Sequence, residues 1–231
     1  LPFLIIAGVL AVALAVFAIF WNRGPRLVAT APTQQAGFRE AFALLGRART
    51  GLGALAIFVY VGAEVTIGSL MINYLMSSRT LGLAAVTAGR MVSLYWGGAM
   101  VGRLVGSALL RRVNASALLS LCAIGAAVLA TLSALSSGAL AAAAALAVGL
   151  FNSIMFPTIF SLSIEGLGER APQGAALLCL AIVGGAVIPP LAGRVADQAG
   201  LSVSLFVPVL CYVWITIFGV LTRTRALAVN A

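Results

Sequence analysis

Glu64 is the acidic residue that lies deepest inside an apolar segment, near the middle of residues 51–76. Of the other acids, Glu165 falls at the end of an apolar segment and Asp197 in a turn. A charge at the centre of a bilayer costs roughly 3 kcal/mol. A carboxyl group at that depth can face a hydrated cavity, where it carries a coupling proton or binds a hydroxylated ligand. The alternative is a protonated Glu64 that hydrogen-bonds a neighbouring helix and only supports the structure.

Two amides and two aromatic residues could complete a site around Glu64. Asn73 and Tyr74 follow it toward the outer end of the same segment, and Tyr60 precedes it by four residues on the same helix face. Sugars are recognised by amides and acids that hydrogen-bond their hydroxyls and by an aromatic face that packs on the ring. The residues expected to bind substrate or a coupling ion are therefore Glu64, Asn73, Tyr74, Trp96 and Asn152. For all of these except Glu64, contact between helices explains the residue type equally well.

Glycine recurs every four residues at Gly98, Gly102 and Gly106, in a run that also contains Arg103. On a helix this spacing makes a smooth stripe along which another backbone can approach closely. The stripe predicts a helix–helix contact, which either slides during a conformational change or packs statically.

Proline and glycine interrupt two later apolar segments. Pro157 has no N–H, so the carbonyl of Ser153, four residues back, loses its helical partner. A glycine pair followed by a proline pair weakens a second helix more severely. Broken helices at membrane depth line cavities or bend in transporters, although a fixed kink is the alternative. The residues expected to contribute to helix movement are Pro157, Gly184, Gly185, Pro189 and Pro190.

The composition predicts a protein surrounded by lipid. Of 231 residues, 62% are hydrophobic and 8% are charged, whereas soluble domains are about a quarter charged. The apolar runs are continuous rather than alternating, which favours helices over a barrel. Seven segments reach the length of about 20 residues that a span needs. They are residues 2–21, 51–76, 88–110, 115–136, 139–164, 173–194 and 201–222.

The arginines indicate the orientation in the membrane. The chain has 14 basic residues, all of them arginine, and 5 acidic residues. Most of the arginines fall on the side of the membrane that carries residues 22–50, so that side is expected to be cytoplasmic. Because the arginines are dispersed over loops and form no single patch, nucleic-acid binding is not expected. The expected domains are a transmembrane helix at 1–21, a cytoplasmic linker at 22–50, a six-helix unit at 51–222 and a cytoplasmic tail at 223–231.

Nothing in the sequence indicates an enzyme. It has no histidine, no G-x-S-x-G motif and no nucleotide-binding G-x-x-x-x-G-K-[ST] motif. Cys122, Cys179 and Cys211 lie in apolar runs without the spacing of metal ligands. We therefore expect no metal and no cofactor, and an ion gradient as the energy source if the activity is transport.

Four segments resemble the fucose–galactose–glucose proton symporter family of the major facilitator superfamily. Residues 60–69 resemble its seventh helix, 96–103 its eighth, 149–161 its tenth and 180–189 its eleventh. The resemblance covers about residues 50–222, and the tenth-helix segment is the most specific part. Around Glu64 the match is nearer to bacterial glucose/galactose members than to fucose members.

The resemblance implies an all-α polytopic membrane protein, the C-terminal six-helix half of a major facilitator fold with one preceding helix. It implies import of a hexose, glucose or galactose, by proton- or cation-coupled symport with alternating access in the bacterial inner membrane. The chain then looks like a fragment whose partner, the missing N-terminal half, holds the family's principal acids, so Glu64 either carries the proton or binds sugar. Transport of N-acetylglucosamine, fucose or mannose, or sugar sensing without transport, are the alternatives. The run from Gly102 to Arg112 is similar to the superfamily's loop signature between helices eight and nine, which holds the inner gate.

Overall fold

The computed structural model describes residues 2–20 and 42–229, with side chains described as far as Arg223. The chain divides into two units, residues 1–36 and 37–231. The first contains helix α1, Pro2–Phe20, which is continuously apolar and whose side chains from Phe3 onward are exposed. Most of the expected linker 22–50 lies outside the described residues.

The second unit is helical wherever its described residues form regular structure, and its nine α-helices from residue 42 onward are α2 to α10. They are α2 Ala48–Met76, α3 Ala85–Leu109, α4 Ala115–Leu135, α5 Gly138–Asn152, α6 Met155–Ile164, α7 Ala171–Ala181, α8 Gly184–Ala199, α9 Leu201–Ser204 and α10 Phe206–Val229. Local sequence accounts for several of the ends. The Asn114 side chain accepts hydrogen bonds from the backbone N–H groups of Ser116 and Ala117 and so begins α4. Gly200, at φ +94°, ends α8 in a backbone conformation that L side chains rarely adopt.

Six helices among the described residues are long and apolar enough to cross a membrane. They are Phe3–Phe20, Ala48–Met76, Ala115–Leu135, Gly138–Ile164, Gly168–Ala199 and Leu201–Arg223. The remaining expected segment, residues 88–110, is helical as expected but falls below the other six in hydropathy. That segment forms α3, which has 25 residues and is long enough. Its glycines, together with Arg90 and Arg103, make it less apolar than the other six.

Helix α2 lies centrally, in contact with α3, α6, α8 and α10. Helix α4 packs against α5 and α10, and α3 packs against α5. The core between them is built mainly from small and aliphatic side chains together with Tyr60, Tyr95 and Tyr212. The expected tail from residue 223 begins as part of α10, which continues to Val229.

Two of the expected spans are interrupted. Residues 139–164 form α5 and α6, separated by Ser153 and Ile154. Residues 173–194 form parts of α7 and α8, separated by Ile182 and Val183. The first break is the one that the missing N–H of Pro157 favours, and it places backbone carbonyl groups inside the bundle without helical partners.

Candidate functional site

The glycine stripe of α3 lies against α5. A Cβ atom at Gly102 would overlap the backbone carbonyl of Leu150, and one at Gly106 would overlap the Ile154 side chain. From the other side, a Cβ atom at Gly149 would overlap the backbone carbonyl of Tyr95. Gly98 is in ordinary contact with the Leu150 backbone. Because these glycines have no side chains, α3 can approach α5 and the break after it closely.

The carbonyl groups freed at this break are hydrogen-bonded by two other helices. The Tyr60 hydroxyl of α2 donates to the Asn152 carbonyl at 3.0 Å. The Arg103 Nε–H of α3 donates to the Ser153 carbonyl, which Pro157 cannot bond, at 3.3 Å. The break is thus satisfied by side chains rather than by helix continuation, as buried backbone groups require.

Asn152, the last residue of α5, is fully buried where four helices meet. Its side-chain amide donates from Nδ2 to the hydroxyl of Tyr95 at 2.9 Å. The Asn152 side chain also interacts with the buried hydroxyl of Tyr212 on α10, but among the described residues neither its Oδ1 nor that hydroxyl has a partner at good hydrogen-bond geometry. Buried polar groups rarely show such an arrangement, and a binding site can use it.

Glu64 joins this cluster from α2. Its side chain is half-buried, lies close to the hydroxyl of Tyr60 and is within electrostatic range of Arg103 on α3. It also acts electrostatically on Tyr95 and Tyr212. A carboxyl group, an amide and three phenolic hydroxyls thus come together in the middle of the bundle.

Trp96 presents an exposed aromatic face next to the cluster. Half of its surface is accessible, and its ring meets Tyr95 edge-on with centroids 5.1 Å apart. The indole also lies against Gly68, one turn of α2 beyond Glu64, where a Cβ atom would come within 3.3 Å of the ring. An exposed indole beside hydrogen-bonding groups can pack on the face of a sugar ring.

The structure does not bring Asn73 and Tyr74 into this cluster, because they lie about 13–15 Å further along the α2 axis than Glu64. The Tyr74 hydroxyl donates to the backbone carbonyl of Ser133 at 2.7 Å, and the Ser133 hydroxyl lies 2.9 Å from it. Asn73 is exposed. Of the five expected binding residues, the structure places Glu64, Trp96 and Asn152 together.

The second interruption lies on the opposite side of α2. A Cβ atom at Gly184 would overlap the backbone carbonyl of Phe58, and one at Gly185 would press on Val61. Pro189 and Pro190 lie inside α8. Gly184 and Gly185 therefore allow α8 to approach α2 closely.

Other polar features lie outside the cluster. A cavity of about 470 Å³, lined by Leu110, Pro157, Ser161 and Glu165 among others, opens near the end of α6. Arg49 forms an ion pair with Glu165 there. No group of His, Cys, Asp and Glu side chains within the described ranges could hold a metal ion.

The sequence did not single out Tyr95 or Tyr212 as site residues. Tyr95 carries a weak signal, since it is next to Trp96 and precedes Gly102 in the stripe by two turns. Tyr212 carries none, because only the packing of α10 against the other helices brings it to Asn152.

No family model matches the chain. The glucose/galactose transporter of Brucella abortus biovar 1 is 44% identical over 170 residues, which are 74% of this chain and 41% of that protein. The L-fucose-proton symporter of Escherichia coli K12 is 32% identical over 226 residues, which are 94% of this chain and 50% of that protein.

The structural comparison agrees with these similarities. A crystal structure of the major facilitator superfamily transporter FucP in the outward conformation matches with a TM-score of 0.78 at 30% identity. The match covers 84% of this chain and 47% of that chain. The chain has the fold of one half of a major facilitator superfamily transporter and resembles transporters of that superfamily in sequence. It spans about half the length of the curated relatives it matches, and the expected all-α membrane fold and family resemblance are confirmed.

Proposed function

We propose that this chain is the C-terminal half of a secondary active transporter that imports a hexose by proton- or cation-coupled symport with alternating access. The observation that carries the proposal is the placement of Glu64 among Tyr60, Tyr95 and Asn152 in the middle of a membrane-spanning helix. A carboxyl group at that depth, beside a buried amide, is suited to exchange a proton or to bind sugar hydroxyls. The names of the relatives, glucose/galactose transporter and L-fucose-proton symporter, support a hexose as substrate.

The partner of this half is the N-terminal half of the same transporter. Two-half transporters place the substrate near the bilayer midplane between their halves. The exposed face of Trp96 and the half-buried Glu64 are the groups that this chain offers to such an interface. Rocking of the halves about the bound hexose would then alternate access. We place the bending at the glycine contact of α3 with α5 and at the breaks before Met155 and Gly184.

We place the protein in the bacterial inner membrane with its C-terminus in the cytoplasm. The arginine bias supports this orientation, with Arg111, Arg112 and Arg170 between helices on the side assigned to the cytoplasm. The energy source is an ion gradient, and no nucleotide or other cofactor takes part. The transporter is accordingly not an enzyme.

Fucose, N-acetylglucosamine or mannose is the second candidate substrate class, since a fucose symporter is also a relative. A sugar sensor with the same fold is the second candidate mechanism. The sensor alternative predicts saturable binding without flux.

The test uses the complete coding sequence reconstituted in proteoliposomes. With an inward ion gradient imposed, glucose or galactose should accumulate inside above its external concentration. Without that gradient, downhill entry of the sugar through a proton symporter should raise the pH on the side from which protons leave. Uptake that saturates with glucose or galactose, but not with fucose or mannose, supports the substrate assignment. Saturable binding without any flux would contradict the transport proposal and favour a sensor.

A further inference from the structure

The two side chains that bond the helix break also interact with Glu64. Tyr60 donates to the carbonyl of Asn152, and Arg103 donates to the carbonyl of Ser153. The same Tyr60 hydroxyl and the same guanidinium are the two groups that act on the Glu64 carboxyl group. The Glu64 carboxyl group and the Asn152 carbonyl are therefore two acceptors within reach of the one Tyr60 hydroxyl.

The competition is strict at Tyr60. A tyrosine hydroxyl has a single proton to donate, whereas arginine has five N–H groups and can serve two acceptors at once. Tyr60 and Glu64 are four residues apart on α2, so their side chains are neighbours on one helix face. Tyr60 is also held in place, since only 2% of its surface is exposed and its ring packs near Phe156 of α6.

We propose that Tyr60 is a positioning residue that links the charge of Glu64 to the break between α5 and α6. When Glu64 is neutral, its carboxyl proton is donated to the Tyr60 oxygen, and Tyr60 donates to the Asn152 carbonyl. When Glu64 is ionised, the Tyr60 hydroxyl turns to the carboxylate, and the Asn152 carbonyl loses its donor. The break then loosens, with Arg103 still bonded to Ser153. This inference rests on the proposed function of Glu64.

Among the groups around Glu64, Tyr60 is the principal connection between its carboxyl group and the break between α5 and α6. From α3 the titratable and charged groups that face it are Tyr95 and Arg103, and from α10 it is Tyr212. The Tyr95 hydroxyl accepts a hydrogen bond from the side-chain amide of Asn152, so Tyr95 contacts the side chain of Asn152 and not its backbone carbonyl. From α8 the residues against this part of α2 are glycines and Ile188, which carry no charge.

Hydrogen–deuterium exchange of the peptide that covers residues 150–160 reports on the break directly. The chain in lipid nanodiscs is compared as wild type, Glu64→Gln, Tyr60→Phe and the double variant, all at one mildly alkaline pH. Glu64→Gln, which stays neutral, should slow exchange about five-fold, the ratio that one hydrogen bond of ordinary strength gives. In the Tyr60→Phe background the same substitution should have no effect.

Tyr74→Phe is the matched control, because Tyr74 is a tyrosine of the same helix with the same 2% exposure. Its hydroxyl bonds Ser133 rather than the break. The slowing by Glu64→Gln should therefore persist in the Tyr74→Phe background. A purely structural Tyr60 would change exchange by itself but would leave the effect of Glu64→Gln intact, and that result overturns the proposal. The proposal is also overturned if Glu64→Gln does not slow exchange in the chain that keeps Tyr60.

If Tyr60→Phe is not recovered as a folded bundle, Tyr60→Met takes its place in the cycle, because methionine is flexible enough to fill a core gap and has no hydrogen-bond donor. Arg103→Gln is measured in parallel, and because Arg103 bonds the Ser153 carbonyl and acts on Glu64 only electrostatically, its effect on the Glu64→Gln slowing should be partial. The proposed function fails separately, if Glu64→Gln in the complete transporter retains full ion-coupled uptake. Loss of uptake together with an unchanged exchange cycle would reject only the role of Tyr60.

Discussion

Two tyrosines of α2 make the same kind of hydrogen bond in very different surroundings. Tyr60 and Tyr74 are equally buried, and each donates to a backbone carbonyl of another helix. Around Tyr74 the network is closed, because the Ser133 hydroxyl lies 2.9 Å from it and 2.8 Å from the Ala141 carbonyl. Around Tyr60 the network is open, with a carboxyl group beside it and, within the described residues, no well-formed hydrogen bond at the Asn152 Oδ1 or the Tyr212 hydroxyl.

The Tyr74 contact therefore only supports the bundle, whereas the Tyr60 contact can rearrange. A fully satisfied buried network is rigid, whereas a partly satisfied one has a reason to rearrange or to bind a ligand. The open network also lies at the helix break, and the closed one joins intact helices. We therefore assign ligand and proton chemistry to the Tyr60 region and stability to the Tyr74 region, and four substitutions test this division.

Glu64→Gln should have the largest effect on activity. It keeps the shape of the side chain but removes the ionisable group of the open network, so ion-coupled uptake by the complete transporter should fall to the background of empty liposomes. Asp197→Asn is the control, because Asp197 is exposed near the end of α8 and outside the cluster. Coupled uptake that survives Glu64→Gln would assign Glu64 to structure and remove the distinction between the two regions.

Gly102→Val should have the largest effect on stability. A side chain there overlaps the Leu150 carbonyl at the approach to the break, and overpacking of this kind costs about 3 kcal/mol. The control is Gly97→Val on the same helix, because no described atom lies within 4 Å of a Cβ atom at Gly97. Thermal unfolding in detergent measures both variants, and equal midpoints would show that α3 does not approach α5 closely.

Asn152→Leu should weaken both stability and sugar binding. The substitution leaves the buried Tyr95 hydroxyl without its donor, at a cost of about 2 kcal/mol. It also removes the available Oδ1, so hexose affinity should fall in the complete transporter. Asn73→Leu, on the exposed side of α2 near Tyr74, should change neither quantity measurably. An affinity loss at Asn73 that equals the loss at Asn152 would place the sugar at the outer end.

Much of the fold follows from composition and from the spacing of small residues. Continuous apolar runs predict the helices, and Gly98, Gly102 and Gly106 predict a close helix contact that the structure supplies against α5. Pro157 predicts the free carbonyl of Ser153 without identifying its partner. Residues 88–110 are helical as expected, although their arginines and glycines make them less apolar than the other six segments.

The candidate site was less predictable, because it depends on which helices are neighbours. The spacing of Tyr60 and Glu64 on one helix can be read from the sequence, and their contact follows from it. The contacts of Tyr60 and Asn152, 92 residues apart, and of Arg103 and Ser153 are set by tertiary packing. Single-sequence reasoning likewise grouped Tyr74 with Glu64, since nothing local to Tyr74 indicates that Ser133 is its partner.

Ser133→Ala should have the smallest effect and sharpens the comparison most. It removes the hydroxyl that lies between Tyr74 and Ala141, and an interhelical hydrogen bond within a membrane is worth about 1 kcal/mol. Tyr74 keeps its own bond to the Ser133 backbone carbonyl, so no donor is left unpartnered and the loss should stay at that level. Thermal unfolding should detect the loss, while hexose affinity and the pH dependence of uptake by the complete transporter remain those of the wild type. A change in that pH dependence would mean that the closed network also takes part in coupling, because a contact that only supports the bundle has no means of sensing the proton.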